Sequence, residues 1–286
     1  MNAAGSSSAT VSAADAEPRA AVPPGHYGPL GQLRSEWTKM RSVRSTTWSL
    51  VVMVAIILGI GALASWLTTR NWSTTGFVDR LTFDPTNRSL TGILFGQLAV
   101  GILGVLVMSA EYGTGTIRAT LAAVPNRPMV LGAKTVVFGV VALVVGEVSS
   151  FAAFFVGQAL LSTPTPHATL SQPGVLTAVV GSGLYLAVLG LFALGIATIV
   201  RHTAGSIAVF VGLLLVLPLI VESLPHSIRI HVSKYLPATI GFVMSSTNLH
   251  GFDAPIFTAW AGLLLLCGYA AVALVVGGIL LVRRDA

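Results

Sequence analysis

Residues 90–110 carry no charged side chain, and residues 135–161 carry only Glu147. Each run is longer than the ~20 residues a helix needs to cross the hydrocarbon core of a bilayer. In lipid, every backbone N–H and C=O has to be satisfied by the spanning structure itself, which narrows the choices to helices and closed barrels. Similar runs recur along the chain, and the sequence predicts six spanning helices near residues 47–68, 90–110, 128–161, 175–200, 204–221 and 254–282. Charged residues make up 9% of the chain, against roughly 25% in ordinary soluble domains, so one all-α, polytopic membrane domain over residues 28–286 outweighs a two-domain soluble reading of the length. Residues 1–27, rich in Ala, Ser and Pro, lack the basic start and apolar core of a signal peptide and read as a disordered tail.

Between tail and first span, Leu30, Leu33, Trp37 and Met40 recur at helical spacing, with Arg34, Glu36, Lys39 and Arg41 between them. This predicts an amphipathic helix lying on the lipid bilayer, with Trp37 at headgroup depth. The third predicted span is too long for a ~30 Å core, so its first turns, around Lys134, are expected to project into water. Asn126 and Pro128 mark its start as cap and first-turn proline. Arg201, His202 and Thr203 alone separate the fourth and fifth spans, and Pro218 predicts a bend or an end in the fifth.

The net charge of +6 does not indicate a nucleic-acid partner, because the basic residues sit beside apolar runs. With the N-terminus inside, eleven basic residues flank the cytoplasmic ends, among them Arg34, Lys39, Arg41, Arg118, Arg127 and Lys134. Only Arg70, Arg80, Arg88, Arg229 and Lys234 lie outside, so the positive-inside rule predicts both termini in the cytoplasm. The single cysteine, Cys267, excludes a disulfide framework within one chain.

Residues 111–134 then form a cytoplasmic loop that predicts a short helix: Thr114 or Thr116 caps it, Ile117, Leu121 and Val124 give an apolar edge, and Pro125 ends it. The pattern Glu111, Gly115, Thr116, Leu121, Pro125, Arg127, Gly132 and Lys134 resembles the first cytoplasmic loop of ABC-2 type transporter permeases. The basic entry segment 33–42 and Lys234-Tyr235-Leu236-Pro237-Ala238, in the outer loop before the last span, resemble further parts of the same family. The resemblance implies a bacterial plasma-membrane exporter subunit that pairs with a second permease copy, homologous or identical, and is driven by a separate ABC ATPase. It also implies that the loop, with Arg118 in it, couples to that ATPase and that re-entrant outer helices fall between Glu222 and Asp253.

No phosphate-binding loop of the form G-x-x-x-x-G-K-[ST] occurs, Gly132-Ala133-Lys134-Thr135 being only a near miss. The chain is therefore expected to be a transport subunit and not an enzyme, without a cofactor of its own, while ATP and magnesium belong to the partner. Glu147 is the acidic residue well inside a span, where a charge costs at least roughly 2–3 kcal/mol. It reads either as a substrate contact or proton site, or as a carboxyl that ties helices together; Gln97 and Gln158 share that choice. His226, His231 and His250 match no zinc spacing and read as solvated loop residues. Gly92-x-x-x-Gly96 permits close helix contact, within the chain or in a dimer. Two rival readings are an ion-coupled secondary transporter using Glu147 and a non-transporting membrane anchor or assembly protein. Three lysines beside thirteen arginines resemble a high-GC bacterial source, and nothing in the apolar runs separates drugs, lipids, peptides and polysaccharides as cargo.

Overall fold

The computed structural model describes residues 28–113, 115–116, 126–249 and 256–283, and every regular element among them is helical. A surface helix, α1 (Pro29–Ser42), precedes six stretches long and apolar enough to cross a bilayer. These are Thr46–Thr74, Pro85–Gly113, Arg127–Leu160, Val175–Val200, Thr203–Glu222 and Ala259–Arg283. They match the six expected spans within a few residues at most ends. The last begins at Ala259, and residues 256–258 before it are not helical.

The first span is α2 (Arg44–Asn71). Two short helices, α3 (Phe77–Leu81) and α4 (Pro85–Ser89), lead through a 3-10 turn into α5 (Ile93–Gly113). The third span is α6 (Arg127–Leu160), whose Asn126 side chain accepts from the Met129 N–H with Pro128 in the first turn, the start predicted from the sequence. The fourth is α7 (Val175–Val200), and Arg201, at φ 60°, ends it before α8 (Thr203–Val211) begins.

The fifth span widens into a π turn over Gly212–Val216 before α9 (Leu217–Glu222). Pro218 has no N–H to donate to the preceding turn, and the wider turn lies directly before it. On the far side α10 (His226–Val232) and α11 (Pro237–Met244) follow, and α12 (Ala259–Arg283) closes the bundle.

The centre is α7, the most buried span, packed by α5, α6 and α12. Its own composition explains this: no charge, and glycines at the approach points. A Cβ on Gly104 would strike the Gly190 carbonyl, one on Gly146 the Gly183 carbonyl, and one on Gly195 would meet Ala273. Small residues bring membrane helices close where no hydrophobic driving force separates helix from lipid. Gly92 and Gly96 serve the same end inside the chain, because both press against Ile57 of α2. The dimer contact considered for that pair is therefore corrected to an intrachain one.

Hydrogen bonds fix the two ends of the bundle. Arg127 donates to the Leu281 carbonyl at 2.9 Å and Arg201 to the Leu280 carbonyl at 2.8 Å, placing two cations at the carbonyl end of α12, where the helix dipole favours positive charge. At the opposite end, Asp84 caps α4 through the Thr86 and Asn87 N–H groups and also accepts from Thr247 and Asn248. Thus α1, the flanks of the 111–134 loop and the 201–203 turn share one side, and segments 70–92, 161–174 and 222–249 share the other.

Candidate functional site

On the α1 side, four charged groups from three elements converge. Glu36 and Lys39 come from α1, Glu111 from the last turn of α5, and Lys134 from early α6. The Lys134 ammonium lies 2.7 Å from Glu36 Oε2 and 2.9 Å from Glu111 Oε1; Lys39 lies 2.7 Å from Glu36 Oε1 and 3.0 Å from the same Glu111 oxygen. The pairs alternate in sign around a closed ring. The Lys134 side chain is 4% exposed and that of Glu36 2%. Lys134 is therefore not projected into water as its position in a long span suggested. Water is replaced by two carboxylates, the arrangement that makes burial of an ammonium tolerable.

Burial opposes the charge of Lys39, but the hydrogen bond it donates to Glu36 and the charges of Glu111 and Glu36 outweigh it and hold this lysine above its ordinary pKa of 10.5. A raised lysine contributes stability that is complete below its unfolded pKa and lost as pH rises through the folded value. Lys39 accordingly keeps its charge in the ring at neutral pH.

The orientation of α1 follows. Gln32, Glu36 and Lys39 form a polar stripe at helical spacing, and that stripe faces the bundle, with the Gln32 amide 3.5 Å from Glu36 Oε1. Leu30 and Trp37 face outward, Trp37 at 51% exposure, and Arg34 and Arg41 are exposed beside them. The exposed face therefore mixes Leu30 and Trp37 with Arg34 and Arg41, while Met40, expected on the apolar side, packs against the core. Glu36 was missed as a site residue, although the 32–36–39 stripe carried the signal.

Of the loop residues, Gly115 has φ +70° and donates its N–H to the Tyr112 carbonyl at 3.2 Å, and Thr116 Oγ1 donates to the Glu111 carbonyl at 3.5 Å. Thr114, Ile117, Arg118, Leu121, Val124 and Pro125 lie outside the described residues. Arg127 is turned to the end of α12 and does not join the ring. On the far side, the Lys234 ammonium sits over the rings of Tyr235 and Phe257, and Pro237 starts the buried helix α11. His231 Nδ1 lies 2.7 Å from the Ser227 carbonyl, His226 opens α10, and His250 lies outside the described residues.

The three intramembrane polar residues have separate surroundings. Gln158 is a structural clamp: its amide donates to the Pro85 carbonyl and Ser89 Oγ at 2.9 Å each, and its oxygen accepts from the Ala168 N–H at 2.6 Å. Gln97 accepts from the Tyr185 hydroxyl, and its buried Nε2 has no partner among the described residues. It borders a cavity of about 90 Å³ with Tyr185, Asn87 and Ser245. The Glu147 carboxyl lies over Gly183 of α7, where a Cβ would come within 2.5 Å of it. Among the described residues no hydrogen bond or ion pair engages that carboxyl. Replacement by leucine therefore strands no partner, and both Glu147→Leu and Glu147→Gln are expected to unfold within about 0.5 kcal/mol of the parent, or later than it. A cost above about 2 kcal/mol for leucine in detergent thermal melts would instead make the carboxyl a tie between helices.

A search of curated proteins finds no match to this chain. The family model described as ABC-2 family transporter protein matches residues 32–218, which runs from the buried stripe of α1 through the charged ring and the first four spans to Pro218. The chain belongs to the ABC-2 family of transporter proteins and is a multi-pass membrane component of that family.

Proposed function

We propose that this chain is the permease of an ATP-driven exporter, working as a pair of permeases and moved by a separate ABC ATPase that docks on the 111–134 loop. The observation that carries the reading is the charged ring: it ties both flanks of that loop, at Glu111 and Lys134, to the surface helix through Glu36 and Lys39. A force applied to the loop then reaches α1, α5 and α6 together, since packed elements move as units and do not deform continuously. Docking on the loop requires it to face the cytoplasm, which agrees with the eleven basic residues on that side. ATP and its magnesium ion belong to the ATPase in this scheme.

The test is capture of the ATPase by tagged permease from bacterial membranes, with substrate-stimulated hydrolysis after reconstitution. Glu111→Ala removes one of the two carboxylates of the ring and is expected to lower both stability and ATPase capture. Arg118→Glu is expected to insert and pair normally but to lose capture by tenfold or more, since loss of one charged contact at an interface typically costs about 2–5 kcal/mol. Undiminished capture and hydrolysis in both variants would remove the loop from the mechanism. In a Cys267→Ala background, labelling of Ser42→Cys by an impermeant reagent in intact cells would overturn the orientation.

A further inference from the structure

At the end of the bundle opposite the charged ring, a cavity of about 90 Å³ lies between the start of α5, α7 and α11. At about 30 Å³ per molecule this is room for about three waters, or for the polar end of a larger compound. Gln97 and Tyr185 form its buried wall, at 2% and 0% exposure. A Cβ on Gly241 would strike the Tyr185 ring, so the backbone of α11 sits directly on that ring and keeps its hydroxyl on Gln97. Leu94 and Phe242, at 51% and 44% exposure, are the exposed residues of the lining and mark its mouth.

The polar atoms around this cavity are not equally satisfied. Asn87 Nδ2 donates to the Ser245 and Ser246 hydroxyls at 3.1 and 3.0 Å, Ser245 Oγ to the Phe242 carbonyl at 3.0 Å, and Thr91 Oγ1 to the Arg88 carbonyl at 2.8 Å. Their protons are committed, while the Thr91 oxygen can still accept. Gln97 differs: its Oε1 accepts from the Tyr185 hydroxyl, and its buried Nε2 has no partner among the described residues. Exchanging the two ends of the amide leaves the oxygen free in place of the nitrogen, so one polar atom is unmatched in either assignment. A buried amide left in that state is destabilising. A hydroxyl answers both assignments, because it accepts from the amide while donating to Thr91, or donates to the amide directly. Among the described residues no charged side chain borders the cavity, so an ion would enter without a counter-charge.

We propose that this cavity binds one uncharged hydroxyl group, carried by an alcohol whose apolar remainder leaves between Leu94 and Phe242, with water in its place when no alcohol is bound. The site does not depend on the ATPase reading, and its test needs no ATPase. The purified chain in phosphatidylcholine nanodiscs, whose lipid carries no hydroxyl head, is irradiated with the photoreactive alcohol azioctanol, and adducts are mapped by peptide mass spectrometry. An adduct is expected at Leu94, at Phe242 or at a residue beside them. Octanol is expected to suppress it, while octane and octanoate at the same concentration are expected not to.

Gln97→Leu removes the amide and is expected to lower the adduct yield by about tenfold, the fold-change of one hydrogen bond to a buried group that is otherwise unsatisfied. The same change strands the Tyr185 hydroxyl, so Gln97→Leu combined with Tyr185→Phe stands in if the single variant does not fold. Ala238→Phe fills the cavity from α11 and is expected to reduce the adduct to background. An unchanged yield in a folded Gln97 variant overturns the proposal, as does equal suppression by octane, which would make the adduct an apolar contact only. Absence of any adduct at the cavity would leave it to water alone and overturn the alcohol site.

Discussion

Lys134→Met is expected to destabilise the protein by about 3–5 kcal/mol, the range for breaking a buried ion pair from one side. The methionine keeps the volume of the chain and removes only the ammonium, which leaves Glu36 at 2% side-chain exposure and Glu111 at 13% sharing the single cation of Lys39. Thermal unfolding in detergent micelles reads the effect. The double variant Glu36→Gln with Lys134→Met returns the cluster to one carboxylate and one ammonium and is expected to recover a large part of the loss. If the double variant is as unstable as the single one, the damage does not come from unpaired charge and the ring is not what holds α1.

At the opposite end of the bundle, Asp84→Ala is expected to cost about 2–4 kcal/mol. Its carboxylate accepts from the Thr86 and Asn87 N–H groups at 2.9 and 3.1 Å, from the Thr247 N–H and hydroxyl at 2.6 and 2.9 Å, and from the Asn248 N–H at 2.9 Å. Loss of the α4 cap alone is typically worth about 1 kcal/mol, and hydrogen bonds to a charged acceptor about 1.5–3 kcal/mol each before water replaces them at this half-exposed site. The damage is expected to be local: faster amide hydrogen exchange at Thr86, Asn87, Thr247 and Asn248, with α7 unaffected. Unchanged exchange at Thr247 and Asn248 would mean that Asp84 does not latch the far-side segment.

The contrast between these two sites and the spans shows what was legible in the chain. Six spans, their all-helical character, the cap at Asn126, the turn at Arg201 and the irregularity beside Pro218 were readable because each is a local matter. A long apolar run in lipid has to satisfy its own backbone, so hydropathy and length suffice to place it. Glu111, Lys134 and Lys39 were also found as residues, from the pattern they share with ABC-2 permeases.

Their meeting was not readable, nor was the part of Glu36. Lys134 and Glu36 stand 98 residues apart, and nothing in the two neighbourhoods says that a long span begins by burying its lysine against a surface helix. The same holds for Gly92 and Gly96, which spacing alone leaves open to a dimer and packing assigns to Ile57, and for Gln158, whose three bonds join segments far apart in the chain. The sequence by itself determined which segments enter the membrane, because transfer into lipid depends on each segment's own composition. Only the tertiary structure decided which faces meet, because lipid-facing and protein-facing surfaces are almost equally apolar, and the choice between them rests on shape, on glycine contacts and on a few polar groups that find partners across the fold.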